Sequence, residues 1–362
     1  MLPSQENFAE ILLSGRPLMD TRAPIEFARG SFPGAVNLPL MTDEERAAVG
    51  TCYKRSGQEA AIALGHQLVS GSIKANRIAA WADFAQKHPG GMLFCFRGGL
   101  RSQIVQRWLA DEAGIVYPRI SGGYKAMRHF LMAATERLSR QLGMRVLGGM
   151  TGTGKTELLQ RLSQSLDLEA CANHRGSGFG RRVSGQPVQI DFEHRIAIRL
   201  LSMEAQGVGE MIVEDEGHFI GSCSVPEVLY GRMQQSPLLW LEDSLENREN
   251  RILQDYVIAQ RAEHDAAYGD EAAARFANHL LDSLLRIRKR LGGERYERAR
   301  AMMQEALAIQ AADGNAEAHR QWIGLLLREY YDPMYVHQKA QKLSRIVAIG
   351  DADTLARFVI KS

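Results

Sequence analysis

One octapeptide, Gly149-Met150-Thr151-Gly152-Thr153-Gly154-Lys155-Thr156, restricts the fold of this chain more than any other feature. Arg145-Val146-Leu147-Gly148 runs into it as a strand would, and Leu158, Leu159 and Leu162 after it share one helical face over 157–166. Strand, glycine-rich loop, helix is the context a P-loop requires, so this part of the chain is expected to be α/β. In such a loop the backbone N–H groups cradle a diphosphate, the lysine neutralises the terminal phosphate and the hydroxyl reaches a Mg2+ ion. Gly149, Gly152, Thr153, Gly154, Lys155 and Thr156 are therefore the expected diphosphate-binding residues. The loop reads phosphates and not the group they carry, so ATP, GTP and a prenyl diphosphate all qualify. No Asn-Lys-x-Asp segment follows it, which argues against a GTPase.

A magnesium ion would need a carboxylate at the end of another apolar strand. Met211-Ile212-Val213-Glu214-Asp215-Glu216 offers one, so Thr156 with Glu214 or Asp215 forms the expected metal set; an acidic turn after a strand is the plain alternative. His174-Arg175-Gly176-Ser177-Gly178-Phe179-Gly180-Arg181-Arg182 follows shortly downstream. Arg175 in it is expected to close on phosphate, unless the segment is a solvated surface turn.

Cys95-Phe96-Arg97-Gly98-Gly99-Leu100-Arg101-Ser102 is a second anion loop of different chemistry. The apolar run Met92-Leu93-Phe94 precedes it, and Ile104, Val105, Trp108 and Leu109 follow at helical spacing. A cysteine so placed stands at the carboxyl end of a buried strand, where amides at a helix start make an anion-binding nest. Arg97 and Arg101 add positive charge that favours the nucleophilic thiolate, and Gly98 and Gly99 permit the positive φ angles that wrapping demands. Cys52, Cys171 and Cys223 lack such surroundings and read as inert.

At 362 residues the chain is long enough for two or three units. We read 1–137 as an α/β unit around the thiol loop, 138–258 as the P-loop α/β unit, and 259–362 as an α-helical C-terminal region, because Ala, Arg, Glu and Leu dominate 259–327. Arg286, Arg288, Lys289, Arg290, Arg295, Arg298 and Arg300 crowd that region, with Tyr296 between them. They either line a phosphate-binding face or form solvated helices paired with Glu294 and Glu297. Tyr331, within Glu329-Tyr330-Tyr331-Asp332-Pro333-Met334-Tyr335, either stacks on a base or closes an interface. A net charge of only +2 excludes a polycation and leaves room for a local RNA surface. No Cys-x-x-Cys pair points to zinc or dithiol chemistry. No leader-like segment opens the sequence and no apolar stretch approaches the ~18 residues of a membrane span, so a cytoplasmic protein with no membrane partner is expected.

Asp20-Thr21-Arg22, Glu26-Phe27, Gly34-Ala35-Val36-Asn37-Leu38-Pro39, the 95–102 loop and Gly122-Gly123-Tyr124-Lys125 together resemble a rhodanese (sulfurtransferase) domain. That resemblance implies a chalcogen-carrying Cys95, with Asp20 and Arg22 as polar scaffold. Over the whole chain, the order of rhodanese-like part, P-loop and helical end resembles the tRNA 2-selenouridine synthase family. Gly50-Thr51-Cys52-Tyr53-Lys54, Ala63-Leu64-Gly65-His66, His174-Arg175-Gly176-Ser177 and the segment 330–335 carry this wider likeness. It implies a transferase that converts wobble 2-thiouridine of tRNA to 2-selenouridine through an S-geranyl intermediate, using geranyl diphosphate and selenophosphate. Carried onto this chain, Cys95 would be the catalytic residue of selenation, and Arg97, Gly98, Gly99, Arg101 and Ser102 would hold selenophosphate. The P-loop residues with Arg175 would hold the diphosphate of geranyl diphosphate, and Arg288, Arg290, Arg295 and Tyr331 are the expected tRNA contacts. An enzyme that makes selenophosphate is a candidate partner. Two other readings stay open: a sulfurtransferase fused to an ATP-dependent kinase-like domain, and a non-catalytic RNA-binding protein that senses an anion.

Overall fold

The computed structural model describes residues 2–361, and the chain folds as two compact units. One runs to Leu138 and takes in Val188–Ser202; the other comprises Ser139–Pro187 and the chain from Met203 onward.

In the first unit, β1 (Ser4–Gln5), β2 (Leu18–Asp20), β3 (Ala35–Asn37), β4 (Met92–Phe94) and β5 (Arg119–Ile120) form a parallel sheet in the order β1-β5-β4-β2-β3. β2 and β4 are buried along their whole length, which is why they read as short unbroken apolar runs. The chain crosses one way from β2 to β3 and the other way from β4 to β5. The carboxyl ends of β2 and β4 therefore flank a topological switch point, the place where open α/β sheets receive ligands. Arg22 leaves one strand there and Cys95 leaves the other. Thr21 ties the two ends together, since its N and Oγ1 both donate to Phe94 O, at 2.9 and 2.8 Å. Asp20 and Arg22 are buried beside it: the carboxylate accepts from Arg22 N at 3.0 Å and Ser31 Oγ at 2.9 Å, and the guanidinium lies 3.8 Å from the centre of the Tyr124 ring.

Two long helices, Asp43–Leu68 and Gly71–Lys87, intervene between β3 and β4. The first starts on a capping box between Thr42 and Glu45 and breaks at Gly57, where φ is +82°, so it consists of two helical arms. The second packs Ile78, Trp81 and Phe84 against Met19, Leu93 and Val105 in the core. The helix Gln189–Ala205 also belongs here through 188–202, which corrects the reading of 138–258 as one continuous P-loop unit. Asp191 accepts from Ser31 N at 2.8 Å, His194 Nδ1 bonds Ser31 O at 2.7 Å, and the His194 ring stacks on Phe32. An amphipathic helix declares that it has an apolar face, but not which distant residues cover it.

The second unit contains β6 (Gly143–Gly149), β7 (Ser165–Leu166), β8 (Glu210–Glu214), the small antiparallel pair β9 (Phe219–Ile220) and β10 (Cys223–Ser224), β11 (Leu238–Leu241) and β12 (Ile346–Gly350). The main sheet is parallel in the order β12-β11-β6-β8-β7, with the P-loop at the end of its central strand. The loop helix spans only Lys155–Gln160, shorter than expected. Leu158, Leu159 and Leu162 are already buried against the sheet, and the chain then turns to lay β7 beside β8. The region after 259 is helical as expected through Ala259–Tyr268, Ala272–Leu291, Gly293–Asp313 and Arg320–Leu326, around a core that includes Phe276, Leu284, Met303 and Trp322. It is not a separate unit, however, because β12 returns to pair with β11. Among the described residues no helix is long and apolar enough to cross a membrane.

Candidate active sites

The thiol loop is held from behind by the turn at 122–125. Tyr124 N and Lys125 N donate to Cys95 O and Phe96 O, both at 2.9 Å, and Arg119 Nη1 donates to Gly98 O at 2.7 Å. These bonds anchor the loop's backbone, while the amides of 96–102 have no hydrogen bond to a protein acceptor among the described residues. Unengaged amides at a helix start are what an anion-binding nest requires. Gly98 sits at φ +61°, and a Cβ there would lie 2.6 and 2.7 Å from the backbone nitrogens of Gly122 and Gly123. Gly99 is different: its φ is −94° and a Cβ would meet nothing within 4 Å, so only Gly98 needs the conformation expected of both.

Cys95 is buried, its Sγ donates to Ser102 Oγ at 3.3 Å, and that hydroxyl donates to Gly99 O at 2.9 Å. Arg97 is exposed at the lip of the loop. Arg101, expected to hold an anion, is paired with Glu26, its Nη1 and Nη2 lying 2.6 and 3.3 Å from the carboxylate oxygens. Arg46 Nε reaches the same carboxylate at 3.1 Å. Burial opposes the charge on Glu26, but Arg101, the Ala23 amide and Arg46 together hold its carboxyl below the ordinary value. Glu26 thus sets where Arg101 points, a role that the sequence did not assign to it. The loop opens into a cleft of about 1030 Å³ in which Arg29, Arg46, Lys54, Arg97 and Arg101 face a single lining carboxylate, Glu26. Such a cleft favours an anionic ligand.

In the P-loop, Gly152 and Gly154 take φ of +81° and +85°, and Lys155 Nζ donates to Gly149 O at 3.2 Å. Thr153 Oγ1 closes the turn on Met150 O at 2.9 Å. Burial works against the charge on Lys155, but Tyr335, Glu169, Glu216 and Glu214 around it leave its pKa above the ordinary value. Burial first, then the neighbouring Glu216 charge, pushes Glu169 up to about 8. Burial and Glu169 push Glu214 well above the carboxylate range. Glu214 Oε2 accepts from Glu169 N at 3.0 Å, whereas its Oε1 is buried with no hydrogen-bond partner. The raised carboxyl pKa values of Glu169 and Glu214 lessen the negative charge that an incoming phosphate meets beside Lys155.

One member of the expected metal set is already engaged. Both oxygens of Asp215 are taken by Lys342 Nζ, at 2.7 and 2.6 Å, whereas Glu214 keeps one buried oxygen without a hydrogen-bond partner. Among the described residues no cluster of three His, Cys, Asp or Glu side chains is placed to hold a metal. The ion pair with Lys342 removes Asp215 from the expected set, which leaves Thr156 and Glu214.

Two arginines that the sequence reading passed over secure the P-loop from the helix Leu245–Leu253. Arg248 Nε donates to Thr151 O at 2.8 Å while its guanidinium pairs with Asp332; Arg251 Nη1 donates to Gly152 O at 3.2 Å while Nε pairs with Glu157. Their only local signal was a pair of arginines three residues apart on a helix that follows a buried strand. Arg175, expected on phosphate, instead bonds Gln260 and, at 3.0 Å, Glu263.

Of the expected tRNA contacts, Arg288, Arg290 and Arg295 are exposed. Arg288 covers the Tyr296 ring at 5.0 Å, and Arg295 Nε pairs with Glu329 at 3.2 Å. Tyr331 is a correction: it is buried in the helical core, with its hydroxyl unpartnered, and cannot stack on a base from there. Its neighbour Tyr330 packs edge-on against it, so this aromatic cluster serves packing.

Residues 123–362 match the family model described as the tRNA 2-selenouridine synthase AAA domain. Curated proteins named tRNA 2-selenouridine synthase align along nearly the entire chain. One from Pseudomonas fluorescens strain Pf-5 is 59% identical over 95% of this chain and 94% of its own length. Those from Bordetella bronchiseptica and Azotobacter vinelandii are 57% and 56% identical, covering 97% and 98% of this chain and 96% of each relative. A crystal structure of the N-terminal domain of a putative ATP/GTP binding protein from Clostridium difficile 630 aligns with 36% of this chain and 99% of that chain, at 29% identity and a TM-score of 0.32, too low to carry an argument. The full-length identity, together with a family model spanning the P-loop unit, means that this chain belongs to the tRNA 2-selenouridine synthase family.

Proposed function

We propose that this chain is a tRNA-modifying transferase that converts 2-thiouridine, at the wobble position, to 2-selenouridine in two steps at its two loops. The observation that carries the reading is the presence, on one chain, of a buried thiol facing a cationic cleft and a separate P-loop with a half-buried lysine. A rhodanese-type fold for the first unit is supported by Cys95 at the carboxyl end of the middle strand of a five-stranded parallel sheet, inside a nest of amides. In the first step the thiocarbonyl sulfur attacks C1 of geranyl diphosphate, the C–O bond breaks, diphosphate leaves with the electron pair and the uracil N3 proton is released. Lys155 and the amides of 149–156 stabilise the charge that develops on the departing diphosphate. In the second, selenium of selenophosphate attacks C2, and the C2–S bond breaks. The sulfur leaves with its electron pair and takes the selenium-borne proton to become geranylthiol. Water then cleaves the Se–P bond, giving orthophosphate, and a proton returns to N3. Cys95 and the cations beside it serve this second step, with Arg97 at the lip as the cation free to meet selenophosphate. A cytoplasmic setting and a selenophosphate-producing partner follow from the same reading.

The test is mass analysis of 2-thiouridine tRNA incubated with the protein, geranyl diphosphate and selenophosphate, each donor omitted in turn. Geranylated uridine with the first donor alone, and selenouridine with both, are expected. Lys155→Ala should abolish geranylation, and Cys95→Ser should abolish selenation only. ATP hydrolysis dependent on Lys155, with no need for a prenyl donor, would favour a sulfurtransferase fused to a kinase-like domain instead.

A further inference from the structure

The cleft above Cys95 has a second character that an anion does not need. Beyond the cationic lip, its wall is built from Leu40, Val69 and Ile104 on the body of the unit and from Val49, Ala61 and Ile62 on the two arms of the Asp43–Leu68 helix. At about 1030 Å³ the cleft reaches the upper end of the roughly 300–1,000 Å³ typical of sites for larger ligands. Selenophosphate is small and fully polar, and a uracil ring presents hydrogen-bonding edges. Neither accounts for the aliphatic side chains that line the same cleft as Cys95. The reactant that does is one whose apolar substituent is bonded to the atom being displaced, because the leaving group must lie within a bond's length of the centre of attack.

We propose that this wall is the receptacle for the geranyl chain of the S-geranyl-2-thiouridine intermediate, and for the geranylthiol that leaves from it. The inference rests on the two-step reading given above and adds a site for the chain in the second step. The C2–S bond then lies toward Cys95 and the cations, with the ten-carbon chain extending between the helical arms and the body. Burial of the chain holds C2 against the donor, so the intermediate binds by the group it is about to lose. The break at Gly57, an exposed position, separates the arms.

The experiment compares selenation of preformed S-geranyl-2-thiouridine tRNA with that of the S-methyl analogue, using the full chain and selenophosphate, and measures geranylthiol binding by calorimetry. Wild type should favour the S-geranyl substrate in kcat/KM by at least about tenfold. Ile62→Asp, which places charge on the wall, should bring the ratio close to one and abolish geranylthiol binding, while geranylation of 2-thiouridine tRNA persists. Ala61→Leu, which fills the wall without charge, should lower the same ratio should Ile62→Asp lose both substrates through misfolding. Lys155→Ala should bind geranylthiol as wild type does. Equal rates on the two substrates, or no geranylthiol binding to a protein that selenates tRNA, would overturn the receptacle and leave the two-step function standing. Geranylthiol binding, lost in Ile62→Asp, by a protein that modifies no tRNA would do the reverse.

Discussion

Lys342 reaches back from the C-terminal part of the chain to place its Nζ 2.7 and 2.6 Å from the two carboxylate oxygens of Asp215, in the segment that follows β8. One of the two carboxylates expected to hold a metal ion is here closed off by an ion pair. Both side chains are mostly buried, at 23% and 14% exposure, so the pair is screened less than a surface contact. Lys342→Met should destabilise the protein by about 1–3 kcal/mol, because it leaves a largely buried carboxylate without a partner. Adding Asp215→Asn should recover part of that loss. The coupling between the two substitutions, measured by urea unfolding, reports the pair, and additive effects would mean that it contributes nothing.

The cluster around Lys155 gives the protein a pH dependence of predictable sign. Glu169 titrates near 8 in the folded chain, against an ordinary carboxyl value of 4.5, so between these limits the folded state retains a proton that the unfolded chain has lost. Stability contributed by this group is therefore complete below about 4.5, falls as pH rises, and levels off above about 8. The slope for one proton is at most about 1.4 kcal/mol per pH unit. Asp167, Glu214 and Glu216 are raised too and add slope of the same sign. Glu169→Gln should be less sensitive to pH than wild type across that window and more stable at its alkaline end. Urea midpoints measured from pH 5 to 9 would show two parallel curves if Glu169 were not the titrating group.

Adjacent glycines in the thiol loop should respond oppositely to the same change. Gly98→Ala forces a Cβ at positive φ to within 2.7 Å of three backbone atoms, which cannot withdraw as a flexible side chain could. Selenation of S-geranyl tRNA should fall at least about a hundredfold, with a stability loss of about 2–4 kcal/mol, while geranylation persists. Gly99→Ala meets open space and should retain activity within a few-fold. Equal losses in the two variants would show that the loop reads general flexibility and not the one close approach at Gly98.

Both loops were legible because each is a local signature: a buried run, glycines at fixed offsets and a helix start lie within about twenty residues. Cys95 and Lys155 were found this way, together with the strands that lead into them. What the sequence concealed was every relationship that spans a large stretch of chain. β12 is a short alternation of half-buried and exposed residues, and nothing within it names β11 as its partner. Gln189–Ala205 has a clear apolar face, but the residues that cover it, Ser31 and Phe32, lie far upstream. Arg101 showed its charge without showing that Glu26 had already claimed it. The Tyr-rich segment announced aromatic surface, and only the packing of the helical core reveals that Tyr331 spends it internally.

Arg248 offers the clearest separation of the two activities. Its side chain is only 5% exposed and divides between Thr151 O on the P-loop and the Asp332 carboxylate, a division that requires the planar, multi-pronged guanidinium. Arg248→Met would strand the carboxylate and the carbonyl together, at a cost of about 3–5 kcal/mol. Arg248→Lys keeps the charge but cannot serve both acceptors, so the loop should lose its fixed shape before the fold is lost. Geranylation by Arg248→Lys should drop at least about tenfold in kcat/KM, whereas selenation of preformed S-geranyl tRNA, which draws on the thiol loop, should stay within a few-fold of wild type. Should both reactions fall together in a variant whose unfolding transition is unchanged, the P-loop would have to be serving the second step as well as the first.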